Sequence, residues 1–96
     1  MADLASIPGG DLVETGLRDL ERGIHSINGL LVAIGRPRLT ALGVEVPPGP
    51  NDPEHLLYTL LANDDQDSAH SRYNALIRRL VSFERALSHT TQTTLK

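Results

Sequence analysis

Every glycine and proline in this 96-residue chain, eight and six of them, lies at or before Pro53. These two residue types are the strongest local breakers of regular backbone. The chain therefore divides into a punctuated N-terminal part and an uninterrupted C-terminal half. Eight of the breakers fall between Gly35 and Pro53, which marks that stretch as a connector between helical segments. Leucine supplies 16 residues, against one Phe, two Tyr and no Trp. Leucine favours helix, and the aromatics that strands use are scarce. The expectation is an all-α chain: a small helical bundle of two long heptad-patterned helices and a short Leu-rich helix, completed by oligomerisation. At this length it forms a single domain.

After a lead-in over 1–10, a helix is expected over 11–34, with Asp11 as its N-cap and Glu14 three residues later in a capping-box pattern. Val13, Leu17, Leu20, Ile24, Ile27, Leu31 and Ile34 recur at spacings of four and three, a heptad seam. Gly16, Gly23 and Gly29 lie inside this stretch, each costing about 0.8–1 kcal/mol against Ala in a helix. Gly16 and Gly23 flank the seam and are read as sites of close helix approach; the alternative is a break into two shorter helices. The connector over 35–52 holds one short helical turn at 38–42 stopped by Gly43, then an extended piece before Pro47 and a stiff Pro47-Pro48-Gly49-Pro50. Asp52 and Pro53 open a helix over 53–62 with Leu56, Leu57, Leu60 and Leu61 as its apolar stripe. The last helix is expected over 67–88, with a seam of Ala69, Tyr73, Leu76, Leu80, Phe83 and Leu87, followed by a flexible tail over 89–96.

The formal charge of −3 and a pI near 5.7 give no net attraction to nucleic acid or anionic lipid. No apolar stretch approaches the ~20 residues of a membrane span, and no basic segment leading into an apolar run follows Met1, so a cytoplasmic protein without membrane contact is expected. Cysteine is absent, which excludes disulfides and thiolate chemistry. Leu12, Leu30 and Val32 lie off the first seam, and Ile77 and Val81 off the last. This apolar surplus points to a homo-oligomer, most simply a two-fold dimer, or to another protein partner; a three-helix monomer with a wide apolar face is the alternative. The expected interface is Leu17, Leu20, Ile24, Ile27, Leu31 and Ile34 with Tyr73, Leu76, Leu80, Phe83 and Leu87.

Candidate chemistry is sparse. Asp52-x-x-His55 and Asp67-x-x-His70 have a spacing that metal ligands use, but both Asp residues stand where N-caps are needed, so no metal and no cofactor is expected. The acidic run Asp64-Asp65-Gln66-Asp67 lacks the central Gly and terminal Glu of a calcium loop. Gly35-Arg36-Pro37-Arg38 resembles the Arg-Gly-Arg-Pro core of AT-hook peptides, with Ile34 where the first Arg belongs. The stripe Arg72, Arg78, Arg79 and Arg85 on the last helix is the better basic contact face.

Leu17-Arg18, the run Ile24-x-x-Ile27-Asn28-x-x-Leu31-x-x-Ile34 and Asp52-Pro53-Glu54 are together similar to the all-helical chorismate mutase domain. That resemblance implies an intertwined helical dimer whose Arg and Lys side chains hold a dicarboxylate. Arg38 matches one such Arg, but Glu21 falls where the first-helix Arg belongs, no Lys precedes Lys96, and Pro37 breaks a helix the family keeps continuous. The expected function is a small non-enzymatic helical protein–protein interaction module, self-assembling or adaptor-like. The alternatives are a nucleic-acid-associated regulator using the arginine stripe and, last, a chorismate-mutase-like enzyme.

Overall fold

A computed structural model describes residues 7–94, with side chains placed for 7–89. The described residues form five helices and no strand: α1 (Gly10–Glu21), α2 (Ile27–Ile34), α3 (Arg36–Ala41), α4 (Pro53–Asp64) and α5 (Ala69–Thr94).

The stretch expected as one helix over 11–34 is two. It breaks at Gly23, which adopts φ +74°, a left-handed conformation open to glycine at little cost. The Gly23 N–H donates to the Leu20 carbonyl at 3.0 Å and the Ile24 N–H to the Asp19 carbonyl at 2.8 Å. This pair of bonds is a Schellman motif, which satisfies carbonyls left over at a helix end. Ser26 then caps α2: its Oγ accepts from the Gly29 N–H at 3.0 Å and donates to Asp19 Oδ2 at 2.5 Å, tying the start of α2 to the end of α1. The chain therefore doubles back. Gly16 lies beside Asn28 and Val32, and a Cβ on it would collide with the Asn28 carbonyl and the Val32 side chain. Of the two glycines expected to permit close approach, Gly16 does so, whereas Gly23 has nothing within 4 Å of a built Cβ and serves the turn.

The start of α1 also differs from expectation. Gly9, at φ +82°, is the N-cap, and no side chain caps the helix. Asp11 lies inside the first turn, where its charge still meets the positive end of the helix dipole.

Doubling back places α2 at the centre. It packs against α1, α3, α4 and α5. Eight residues are too few for a helix to persist alone in water. Leu30, Leu31 and Val32 are fully or almost fully buried, and each contributes about 1.5–3 kcal/mol of burial. A helix that is apolar all round belongs in an interior. Leu12, Leu30 and Val32, which counted as surplus on one continuous helix, are thus covered within a single chain.

α3 ends in a second Schellman motif: Gly43, at φ +93°, donates to Thr40 at 3.0 Å and Val44 to Leu39 at 2.9 Å. The rest of the connector lies across the helices rather than free of them. Val44 and Val46 pack on the core, and a Cβ on Gly49 would sit 3.3 Å from that of Ala33. Asp52 caps α4 by accepting from the His55 N–H at 3.4 Å, with Pro53 in the first turn. α5 contributes Leu80, Phe83 and Leu87 to the core. It continues to Thr94, so the stretch expected as a flexible tail is helical that far; Leu95 and Lys96, like most of the 1–10 lead-in, lie outside the described residues.

Candidate functional site

The residues expected to form an interface divide by burial. Leu20, Leu31, Leu80, Phe83 and Leu87 are buried in the core of the single chain. Leu17, Ile27, Ile34, Tyr73 and Leu76 are half-buried against it. These ten side chains hold the helices of one chain together. Ile24 alone of the set is exposed, at 47%, because the turn at Gly23 lifts it off the seam.

The arginine stripe is divided too. Arg72 donates to Asp64 at 2.7 Å, an exposed ion pair closing the α4–α5 turn. Arg78 and Arg79 are exposed beside Pro8 and Gly9, and Arg85 is exposed one to two turns further along α5. Gly35-Arg36-Pro37-Arg38 is the helical start of α3 rather than an extended strand of the AT-hook kind. Asp52 is engaged as a cap, and His70 lies 3.2 Å from the Asn74 amide.

Two surfaces remain that hold unusual chemistry. The first is the outward flank of α4. Leu56 and Leu60, four residues apart and so one turn apart on one face, are 39% and 37% exposed. With Thr59, Asn63 and His25 they rim a hollow of about 230 Å³ floored by Leu30. Ile24 is next to His25 in the chain. Acidic residues sit at both ends of α4: Asp52 and Glu54 at one, Asp64 and Asp65 at the other, all exposed.

The second is a groove between α3 and α5. One hollow, about 330 Å³, is lined by Ile34, Pro37, Ile77, Leu80 and Val81. The next, about 510 Å³, is lined by Ala41, Leu42, Arg85, Ser88 and His89. Arg38 and Glu84 line both and form the waist between them. Glu84 is only 5% exposed, the one charged residue among the buried described residues. It makes no hydrogen bond and no ion pair among them, and Arg38 faces it without closing a salt bridge. Desolvation holds its carboxyl above the ordinary glutamate value, and the Arg38 guanidinium pulls the other way without cancelling the effect. Gly35 makes the space: a Cβ there would lie 3.1 Å from Glu84 Oε2 and 3.0 Å from Leu80 Cδ2. Gly35 has an ordinary negative φ of −82°, so room, not backbone conformation, is what favours glycine at this position.

The signal for Glu84 was in the sequence. It lies four residues after Leu80, seven after Ile77 and three before Leu87, so it sits within the apolar stripe of α5. Counted only as a partner for nearby arginines, it reads as surface charge.

Among the described residues, no helix is long and apolar enough to cross a membrane. Comparison of the chain with protein-family models, curated proteins and solved structures finds no match.

Proposed function

We propose that this chain is a small non-enzymatic helical interaction module that docks a partner protein on the outward flank of α4. The observation that carries the reading is the pair Leu56 and Leu60, left open around a hollow while the seam leucines are consumed by the core. Large apolar side chains that share an exposed face mark interaction sites more often than scattered ones do. Covering the open parts of Ile24, Leu56 and Leu60 removes roughly 200 Å² of apolar surface, about 5 kcal/mol at 25 cal/mol/Å². That area is well below the ~800 Å² per partner of a standard stable interface, so docking on this face is weak and reversible. The acidic ends of α4 select the partner. An antiparallel pairing of α4 with its own copy, Leu56 against Leu60, sets Asp52 against Asp64, a like-charge arrangement that disfavours self-association. A helix with apolar anchors and basic flanks fits both the apolar hollow and the acidic ends.

The test uses two fluorescent amphipathic helices, one of Leu and Lys and one of Leu and Glu, titrated by anisotropy. The Leu/Lys helix binds and the Leu/Glu helix does not. The double variant Leu56→Asp, Leu60→Asp loses the Leu/Lys helix although it adds negative charge, while its circular dichroism is unchanged. Undiminished binding by that variant assigns the interaction to charge alone and refutes the docking face.

A further inference from the structure

We propose that the groove between α3 and α5 is a binding site for a small carboxylic acid with an apolar body, its carboxylate held by Arg38 and Arg85 and hydrogen-bonded by the Glu84 side chain in its protonated form. This site is separate from the α4 face, and it rests on geometry. Glu84 is nine-tenths buried, lines both hollows and has no hydrogen-bonding partner among the described residues. No buried side-chain oxygen or nitrogen among the described residues lacks a partner, so the unpaired Glu84 carboxyl opens its oxygens to the cleft, where a ligand can reach them. Gly35 leaves the room that this carboxyl occupies. Structural glutamates inside a core are paired; this one is instead exposed to a cleft.

The surroundings choose the ligand's charge. From α3 the titratable group facing Glu84 is Arg38, with Arg36 exposed beyond it; from α5 they are Arg85 and His89; α2 contributes only Ile34 and Gly35. Two guanidinium groups against one carboxyl leave the waist positive when Glu84 is ionised and more so when it is protonated. An anion is therefore favoured, and arginine suits a carboxylate because its planar fork matches the two oxygens. The anion in turn raises the proton affinity of Glu84, so the carboxyl becomes an O–H donor to the ligand's carboxylate. Proton balance is simple: one proton is taken up from solvent on binding and rests on Glu84, and no covalent bond changes. The apolar body lies on Ile34, Pro37, Ile77 and Val81, which are half-buried or exposed and have room beside them.

The experiment compares three probes with one chain and different heads: octanoate, octylamine and octanol, each at about 1 mM, the weak end of specific binding. Amide chemical shifts of the full chain are the readout. Octanoate moves resonances around Arg38, Glu84 and Arg85, and the other two do not. Octanoate affinity falls tenfold per pH unit above the pKa of Glu84. Glu84→Gln keeps a donor but removes the charge, so it binds octanoate tenfold or more tighter at pH 8 and loses this dependence; a pH dependence as steep as the parent's overturns the role of Glu84. Arg38→Ala weakens octanoate at least fivefold. Binding of octylamine at this site assigns Glu84 to a cationic ligand and overturns the proposal; loss of octanoate binding in Glu84→Gln with unchanged circular dichroism contradicts the predicted gain and overturns it too. An equal response to octanol reduces the groove to an apolar hollow, and no response to any probe removes the site.

Discussion

Replacing Gly16 with alanine tests the close approach of α1 and α2, because two physical effects predict opposite signs. In an isolated helix, Gly→Ala stabilises by about 0.8–1 kcal/mol through reduced backbone entropy. Here the added methyl would meet the Asn28 carbonyl and the Val32 side chain at distances no real Cβ tolerates. A side-chain tip can swing aside, but the carbonyl belongs to the α2 backbone, so α1 and α2 must move apart. Overpacking of this kind costs about 1–3 kcal/mol, and repulsion from a backbone atom places it in the upper part of that range. The net expectation is a destabilisation of about 1–2 kcal/mol. For a domain of this size that is a fall in Tm of roughly 5–15 °C, or about 1–2 M in the urea midpoint at an m-value near 1 kcal/mol/M. Thr15→Ala, at an exposed neighbouring position on α1 whose hydroxyl bonds only the Asp11 carbonyl, is the control and should be neutral or slightly stabilising. Urea melts followed by circular dichroism at matched m-values decide the matter. A Gly16→Ala variant as stable as the parent, or more so, refutes the helix contact.

Other perturbations follow from the same geometry. Burial disfavours ionised Glu84 in the fold, so the folded state binds more protons than the unfolded one between the ordinary glutamate pKa and the raised value, and stability falls as pH rises through that window. Glu84→Gln should therefore raise Tm at pH 7–8, with the gain disappearing toward pH 4; a gain independent of pH would contradict a desolvation origin. Ser26→Ala removes both the α2 cap and the tie to Asp19 and should cost about 1–2 kcal/mol in a urea melt; a loss within error would show that the cap is replaced by water. Phe83→Ala empties the largest fully buried side-chain site and should cost about 3–5 kcal/mol, enough to leave this small chain largely unfolded by calorimetry.

The helical class and its punctuation were legible in the chain. Leucine content, the absence of breakers after Pro53, the Asp52-Pro53 start and the Gly43 stop all act through a few neighbouring residues, and local sterics are the same before and after folding. The candidate sites were less so. Leu56 and Leu60 read as core leucines, indistinguishable by spacing from Leu57 and Leu61, and only the position of α2 determines which pair is covered. Ile24 fits the 4-3 seam perfectly, yet the seam is a statement about spacing along an unbroken helix and ceases to hold once the helix turns back.

Gly16 and Gly23 show the boundary most directly. Both are glycines seven residues apart on one pattern, and both owe their use to a missing Cβ. That absence permits either a left-handed turn or contact with a second helix, and the sequence alone determined only that one or the other was available. Which glycine took which role depended on whether Asn28 and Val32 returned to face Gly16, a contact across twelve to sixteen residues. The same long-range return buried Leu12, Leu30 and Val32 within one chain and enclosed Glu84 between α3 and α5. Local sterics and periodicity limit what each segment does alone; burial is shared among segments, and it is assigned only when they meet.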